Sequence, residues 1–316
     1  MTSKIKVVVQ IPCLNEAGTL GVVLNSIPSK IPGVDLDILV IDDGSSDNTI
    51  EVAKEHGVKH FVIHRTNMGL ARSFQDGVNY ALSIGADILV NTDGDNQYPQ
   101  AMIPELIRPI MDDKAEIVVG DRQTKTISHF SLFKRVMQQV GSFIVNKAAG
   151  TNIPDSASGF RAYSKEALLR LNVVTQFSYC METIIQAGNK NITIASVPIT
   201  TNPKTRESRL FKNIWQHMYK SGSAIIRSYI MYRPHLIFMS LGSVFLIGGV
   251  IPFIRYALIL ETGSRGGHLQ SLILGTVFLF ASMLFFALAI ISDIIRTNRT
   301  LNEEALERIK RIEYDI

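Results

Sequence analysis

The sequence predicts an α/β protein with a mostly parallel sheet, followed by interfacial amphipathic helices and a two-helix transmembrane hairpin. Three observations carry that expectation. Residues 5–120 alternate short β-branched runs with helical patterns, the mark of βαβ units when the helical stretches run to about 10–15 residues. The strand at ILVI (residues 38–41) is apolar throughout rather than alternating, as strands covered on both faces are. The region after Pro234 is far richer in apolar residues than the region before it, which explains a mean hydropathy of +0.17.

The first strand falls at Lys6–Ile11, and a helix follows at Ala17–Ser26. The second strand is Leu36–Ile41. Asp47–His56 has helical spacing, with Ser46 or Asp47 as its cap, since both side chains can accept from first-turn amides. Phe61–Ile63 is the third strand, Leu70–Ser83 a helix and Ile88–Asn91 the fourth strand. Pro99–Met111 reads as a helix with proline in its first turn, and Glu116–Val119 as the fifth strand. Further on, Phe130–Ala148 is helical, Ser158–Tyr163 a short strand or turn, Met181–Ala187 a helix, and Ile192–Val197 a strand stopped by Pro198. Together these elements define a first domain over residues 1–203.

Residues 204–234 change character. Phe211, Ile214, Trp215, Met218, Gly222, Ile225 and Tyr229 recur at helical spacing, with Lys212, Gln216, Lys220, Arg227 and Ser228 on the other sides. A basic amphipathic helix with Trp and Tyr suits a bilayer interface. Within 235–293, the stretches Leu236–Leu260 and Leu269–Ile291 hold one charge, Arg255. At about 1.5 Å per residue each can cross a core of about 30 Å, and Arg255 can snorkel from the outer end. Arg227, Arg233, Arg296 and Arg299 flank the pair, whereas the linker 261–268 carries only Arg265. The positive-inside rule then places the first domain and the charged helical tail, 294–316, in the cytoplasm. That makes the chain an integral plasma- or inner-membrane protein. Gly242, Gly248 and Gly249 permit close helix packing, compatible with a homo-oligomer.

The net charge of +4 comes from basic residues gathered at 204–233 and 296–311. Their place beside apolar segments fits an anionic membrane surface rather than nucleic acid. Two cysteines, Cys13 and Cys180, exclude a disulfide framework or a cysteine zinc site and fit a reduced compartment. The N-terminus reads as a strand, without the length or cleavage site of a signal peptide.

Ligands of parallel sheets bind at the carboxyl ends of the strands. The first strand ends in Pro12-Cys13-Leu14-Asn15-Glu16. Neither GxGxxG nor GxxxxGK(S/T) is present, against a dinucleotide fold or a P-loop. Glu16 can accept from a ribose, or simply face a helix N-terminus. The second strand ends in Asp42-Asp43-Gly44-Ser45-Ser46-Asp47. Two adjacent carboxylates cannot both be buried unpaired, so one can face a base or ribose while the other caps the turn, or turn chemistry accounts for both. The fourth strand ends in Asn91-Thr92-Asp93-Gly94-Asp95-Asn96-Gln97. This spacing lets two carboxylates approach one Mg²⁺ or Mn²⁺, ions that prefer few carboxylates plus phosphate oxygens and offset the charge of a leaving diphosphate. Gly120-Asp121-Arg122 closes the fifth strand, with Arg135 on the next helix. The turn from Asp155 to Arg161 and the basic Lys204, Arg206 and Arg209 follow. The planar fork of arginine suits phosphate. Singly each is as readily a surface ion pair; as a set they point to a site handling two phosphorylated molecules.

In that order, PCLNEAGTL, IDDGSSDNT, TDGDNQYP, VVGDR and DSASGFR resemble glycosyltransferase family 2 with the GT-A fold, over nearly the whole chain. SYCMETII, PKTRESRLFK and the two spans are similar to the polyisoprenyl-phosphate glycosyltransferases, namely dolichol-phosphate mannose synthases and bacterial undecaprenyl-phosphate glucosyltransferases. The resemblance implies that Pro12, Leu14, Glu16, Asp42 and Asp43 line a nucleoside pocket. It implies a metal and diphosphate loop of Asp93, Asp95 and Gln97, and an acceptor-phosphate site of Arg122 and Arg135 with a turn at Asp155 and Ser158. Arg206 and Arg209 then close over the donor diphosphate. Asp95, Asp155, Arg122 and Arg135 form the expected catalytic set, either aspartate being able to orient the attack. Leu14 stands where some mannose synthases carry an aromatic residue. The implied reaction is inverting, Mg²⁺- or Mn²⁺-dependent transfer of a hexose, first UDP-glucose, to undecaprenyl phosphate. A GDP-mannose-dependent synthase is the alternative, and a non-catalytic nucleotide-sugar-binding membrane scaffold the alternative of another class. No QxxRW follows the acceptor turn, which argues against a processive polysaccharide synthase.

Overall fold

The computed structural model describes residues 4–123, 132–173, 179–203, 234–261 and 269–314. The expected amphipathic helix at 208–233, with Arg206 and Arg209, lies outside the described residues, as does the side chain of Arg135. The described residues fall into two compact units. One holds 4–203 with Ala305–Tyr314, the other Pro234–Glu304.

In the first unit, seven strands form one sheet: β1 (Ile5–Cys13), β2 (Val34–Asp42), β3 (His60–Ile63), β4 (Ile88–Asn91), β5 (Ile117–Asp121), β6 (Arg161–Ser164) and β7 (Ile194–Pro198). Their order is β3-β2-β1-β4-β6-β5-β7. Pairings are parallel except those of β6, which runs antiparallel to β4 and β5. The strand order reverses beside β1, which opens a crevice at the carboxyl ends of β1 and β4. The direction of β6 has a consequence for the site. An antiparallel strand starts where its parallel neighbours end, so Arg161 pairs with Asn91 and the turn before β6 arrives at the same edge.

The helices are α1 (Ala17–Ser26), α2 (Thr49–Glu55), α3 (Leu70–Ser83), α4 (Ile103–Met111), α5 (Leu132–Ala149), α6 (Lys165–Arg170) and α7 (Tyr179–Asn189). Leu20, Val23 and Leu24 of α1 join Ile103, Leu106, Ile107 and Ile110 of α4 against Val7, Val9, Ile11 and Val90 of the sheet. On α3, Phe74, Val78, Ala81 and Leu82 are buried as well. The sequence predicts α2 from Asp47, but the helix begins at Thr49. One Asp47 oxygen accepts from Thr49 N at 3.1 Å and the other from Ala17 N at 3.1 Å, so this side chain serves two helix starts. The predicted helix over 99–111 begins as a 3₁₀ turn at Gln100–Met102.

The tail residues pack on α6. Lys310 is buried, and its Nζ donates to Leu171 O at 2.8 Å and to Leu168 O at 3.4 Å, carbonyls that a helix end leaves without partners. Arg311 pairs with Glu166 and Glu307. Burial, with the nearby Lys190 charge, pulls Lys310 down to about 8. Above that pH the folded chain releases a proton that the unfolded chain keeps until about 10.4. The unfolded state then binds more protons, so stability rises with pH across this window, by at most about 3 kcal/mol. The melting midpoint of the wild type is therefore expected to gain on Lys310→Met between pH 7.5 and 9.5. A pH-independent difference would show that the ammonium carries no burial penalty.

The second unit contains α8 (Pro234–Glu261) and most of α9, a single helix over Leu269–Glu313. Their most apolar windows have mean hydropathies of 2.2 and 2.5, yet only 11% and 17% of those windows is buried. Val244 and Met283 are largely exposed. Long, apolar and uncovered, both helices have the length and composition to cross a membrane. The apolar part of α9 and the charged tail belong to one continuous helix. A Cβ on Gly242, Gly248 or Gly249 would come within 2.9, 3.1 and 2.8 Å of Phe286, Phe278 and Leu279, and Ser282 Oγ donates to Gly242 O at 2.8 Å. These glycines seat the other helix of the same hairpin.

Candidate active site at the carboxyl edge of the sheet

Cys13 and Asp42 are register partners where β1 and β2 end. Beyond Pro12, which is buried, and Leu14, which is half-buried, Asn15 takes the left-handed conformation with φ 55, which its short amide tolerates. It interlocks with the neighbouring turn: Asn15 N donates to Ser45 Oγ at 2.9 Å and Ser46 N to Asn15 Oδ1 at 2.7 Å. Gly44 has φ 78, and a Cβ there would lie 2.8 Å from the Thr66 carbonyl carbon, so only glycine fits. Asp42 accepts from Ser45 N at 3.2 Å. Asp43 accepts from Met68 N at 2.8 Å, Gly69 N at 2.9 Å and His64 Nδ1 at 2.8 Å. Thus Asp42 caps its own turn and Asp43 anchors the loop after β3. His64, whose other ring nitrogen lies 3.2 Å from Asp76 Oδ2, is a support that no sequence motif announced.

The Asp93-Gly94-Asp95 loop follows β4. Both carboxylates are half-buried. Asp95 accepts from Gln97 N at 3.1 Å and from Gln97 Nε2 at 2.7 Å, so Gln97 braces Asp95. Glu16 is largely buried. Its Oε2 lies 3.0 Å from the Thr19 hydroxyl, which is also 2.8 Å from Gly94 O, and a Cβ on Gly94 would touch Glu16 at 3.2 Å. Asn202, beyond β7, reaches the same loop by donating to Asn96 O at 3.0 Å. Among the described residues no three His, Cys, Asp or Glu side chains gather as a metal cage. Two partly open carboxylates on one loop fit Mg²⁺ or Mn²⁺, which keep positions for phosphate oxygens and water. They do not fit a closed nitrogen-and-sulfur zinc site.

Arg122, at the end of β5, donates through Nε to Asp155 Oδ2 at 2.7 Å and through Nη2 to Asp155 Oδ1 at 2.9 Å. Burial works against the Asp155 carboxylate, but the Arg122 charge and hydrogen bonds outweigh it and hold its pKa below the usual range. Burial likewise opposes charge on Arg122, and Tyr98 and Asp155 more than offset it. Asp155 therefore holds a guanidinium in place. Arg161, fully buried, donates to Ser158 O at 2.7 Å, Ser156 O at 2.8 Å, Cys180 O at 2.7 Å and Thr183 Oγ1 at 2.9 Å, tying the turn to α7. Ser158 is fully buried too; its carbonyl accepts from Arg161, and its Oγ is buried without a hydrogen-bond partner among the described residues. A single turn thus touches Arg122 through Asp155 and, as shown below, Asp93 through Gly159. Of the predicted acceptor residues, Arg122, Asp155 and Ser158 are placed at this edge, and the side chain of Arg135 lies outside the described residues.

Residues 8–171, just over half of the chain, match the profile described as Glycosyl transferase family 2. The chain belongs to glycosyltransferase family 2. Within that family it is 33% identical over 212 residues to the UDP-N-acetylglucosamine–dolichyl-phosphate N-acetylglucosaminyltransferase of Methanococcus voltae, covering 60% of this chain and 83% of that one. It is 28% identical over 228 residues to the polyprenol monophosphomannose synthase of Mycolicibacterium smegmatis, covering 68% and 85%. Both relatives are polyprenyl-phosphate sugar transferases. The fold matches glucosyl-3-phosphoglycerate synthase from Mycobacterium tuberculosis, crystallised with Mn²⁺, UDP and phosphoglyceric acid. The TM-score is 0.56 at 21% identity, over 71% of this chain and 77% of that one. The predicted GT-A fold is thereby borne out.

Proposed function

We propose that this glycosyltransferase moves a hexose, first from UDP-glucose, onto a polyisoprenyl phosphate such as undecaprenyl phosphate, with inversion and with Mg²⁺ or Mn²⁺. The carrying observation is that one turn joins a paired-carboxylate loop to a half-buried arginine fixed by a buried aspartate. The loop suits a metal-bound diphosphate; the arginine suits a phosphate monoester. Two helices long and apolar enough to cross a membrane fit a lipid acceptor, with the catalytic domain and tail on the cytoplasmic side.

Pro12, Leu14, Glu16 and the Asp42-Asp43 turn would frame the nucleoside. A bound Mg²⁺ or Mn²⁺ would offset charge developing on the leaving diphosphate; Asp93 and Asp95 would hold it, with Gln97 fixing Asp95. A phosphate monoester has its second pKa at about 6, so near pH 7 the acceptor is mostly a dianion and needs little help from a base. Arg122, fixed by Asp155, keeps donors to orient that dianion, and Arg135 would share that role. Arg206 and Arg209 would screen the two phosphorylated substrates from each other. Direct displacement of an α-linked donor then gives a β-linked lipid phosphate.

The test is transfer from radiolabelled UDP-glucose, UDP-N-acetylglucosamine and GDP-mannose to undecaprenyl phosphate, with Mn²⁺ or with chelator. Chelator-sensitive lipid product from UDP-glucose is expected. Product from GDP-mannose alone would reassign the donor sugar to mannose, the sugar of the mycobacterial relative's product. No lipid product from any donor would favour a non-catalytic scaffold.

A further inference from the structure

We infer that Tyr179, acting with Asn91 through Gly159, is a positioning residue that sets the Asp93 carboxylate for metal. The inference rests on the proposed metal-dependent reading and assigns a function to α7 in it. A Cβ on Gly159 would lie 3.3 and 3.4 Å from the two carboxylate oxygens of Asp93, and 3.1 Å from the Tyr179 hydroxyl. Both oxygens of the Asp93 carboxylate therefore face the space that the absent Gly159 side chain leaves.

That α-carbon is held from both sides. Gly159 N donates to Tyr98 OH at 2.8 Å. Gly159 O accepts from Asn91 Nδ2 at 2.9 Å and lies 3.3 Å from Tyr179 OH. Asn91 Nδ2 also reaches Tyr179 OH at 2.7 Å, and Asn91 Oδ1 accepts from Gln10 Nε2 at 2.9 Å. The rings are locked in turn. Tyr179 stacks on Phe74 with centroids 4.2 Å apart and planes 7° apart, and Tyr98 stacks on Phe160 at 5.4 Å. Burial, with Asp93 among the nearby charges, pushes the Tyr179 phenol well up, so it stays a neutral donor. Tyr98, Asn91, Gly159 and Tyr179 are all buried and hydrogen-bonded to one another, which makes the support stiff.

Groups that orient a ligating carboxylate typically change metal affinity by about 10–100-fold when removed. The experiment is Mn²⁺ titration of the full chain in detergent with UDP present, followed by electron paramagnetic resonance, on wild type, Tyr179→Phe and Gly159→Ala. Tyr179→Phe is expected to bind Mn²⁺ about ten-fold more weakly, with a modestly lowered melting midpoint, because a buried Asn91 N–H loses its partner, and with transfer recovered at high Mn²⁺. Gly159→Ala, which drives a methyl toward Asp93, is expected to lose more; if it does not fold, Tyr179→Phe decides alone. Tyr163→Phe is the control, because Tyr163 touches the same Phe74 ring at 5.6 Å; it should keep wild-type Mn²⁺ affinity. Wild-type affinity in Tyr179→Phe, or an equal loss in Tyr163→Phe, would overturn the positioning role while leaving the metal-dependent reading intact. A wild-type protein that binds no Mn²⁺ would overturn both.

Discussion

An Asp95→Ala variant is expected to fold normally and to lose sugar transfer by about 1000-fold. Among its contacts, Asp95 accepts from the backbone and side-chain amides of Gln97, two residues away. The loop is half-buried, so water can take over those donors, and the stability cost should stay near about 1 kcal/mol. The catalytic cost is of another size. A metal ligand contributes several kcal/mol to stabilising a leaving diphosphate, and each 1.36 kcal/mol is about tenfold in rate. Asp95→Asn should behave alike, because it keeps the shape but loses the charge. Single-turnover transfer beside a thermal melt measures both quantities. A near-normal rate in a well-folded Asp95→Ala would remove the metal from this loop. A lost rate with a collapsed melt would instead make Asp95 a structural residue.

The parts of the fold that the sequence shows are those where a long period meets clear breakers. Helices α1 and α3 and strand β4 have the same limits by sequence and by structure, because each is a continuous apolar pattern between turn residues. The six residues of α6 hold too few turns to show a period, and only the Ser164 cap, accepting from Ala167 N at 3.1 Å, marks its start. The direction of β6 is invisible in sequence, since a strand's pattern does not name its partner. The carboxylate loop is legible because its two aspartates lie two residues apart at a strand end. The Arg122–Asp155 fork is not, because 33 residues separate its halves. That is why Asp155 reads in sequence as a group orienting the attack, while in the fold it grips an arginine. His64 and Tyr179 act through carboxylates and carbonyls brought to them by folding, so neither leaves a local signature.

The fork leads to the second large expected effect. Arg122→Lys keeps the charge but loses the planar pair of donors, and is expected to lower kcat/KM for the lipid acceptor by about 100-fold, as loss of a positioned donor does. Asp155→Asn leaves the half-buried Arg122 guanidinium without its counter-charge, at a stability cost below the about 3–5 kcal/mol of breaking a fully buried pair. Its acceptor kcat/KM should fall by a similar factor. Because the folded pKa of Asp155 is depressed, its stabilising contribution is present above the unfolded value of about 3.9 and is lost as pH falls below it. The wild-type melt should weaken in that acid range and the Asp155→Asn melt should not follow it. No limb from Asp155 should then appear in the rate between pH 5 and 8, where the acceptor phosphate at about 6 is the titrating group. A base would behave differently: Asp155→Asn would abolish the rate, and Arg122→Lys would still depend on Asp155. The double variant separates the two cases. If Asp155 works by fixing Arg122, the second substitution adds little to the first, a coupling of about 2 kcal/mol. Multiplying losses would mean that the aspartate and the arginine act on the substrate independently.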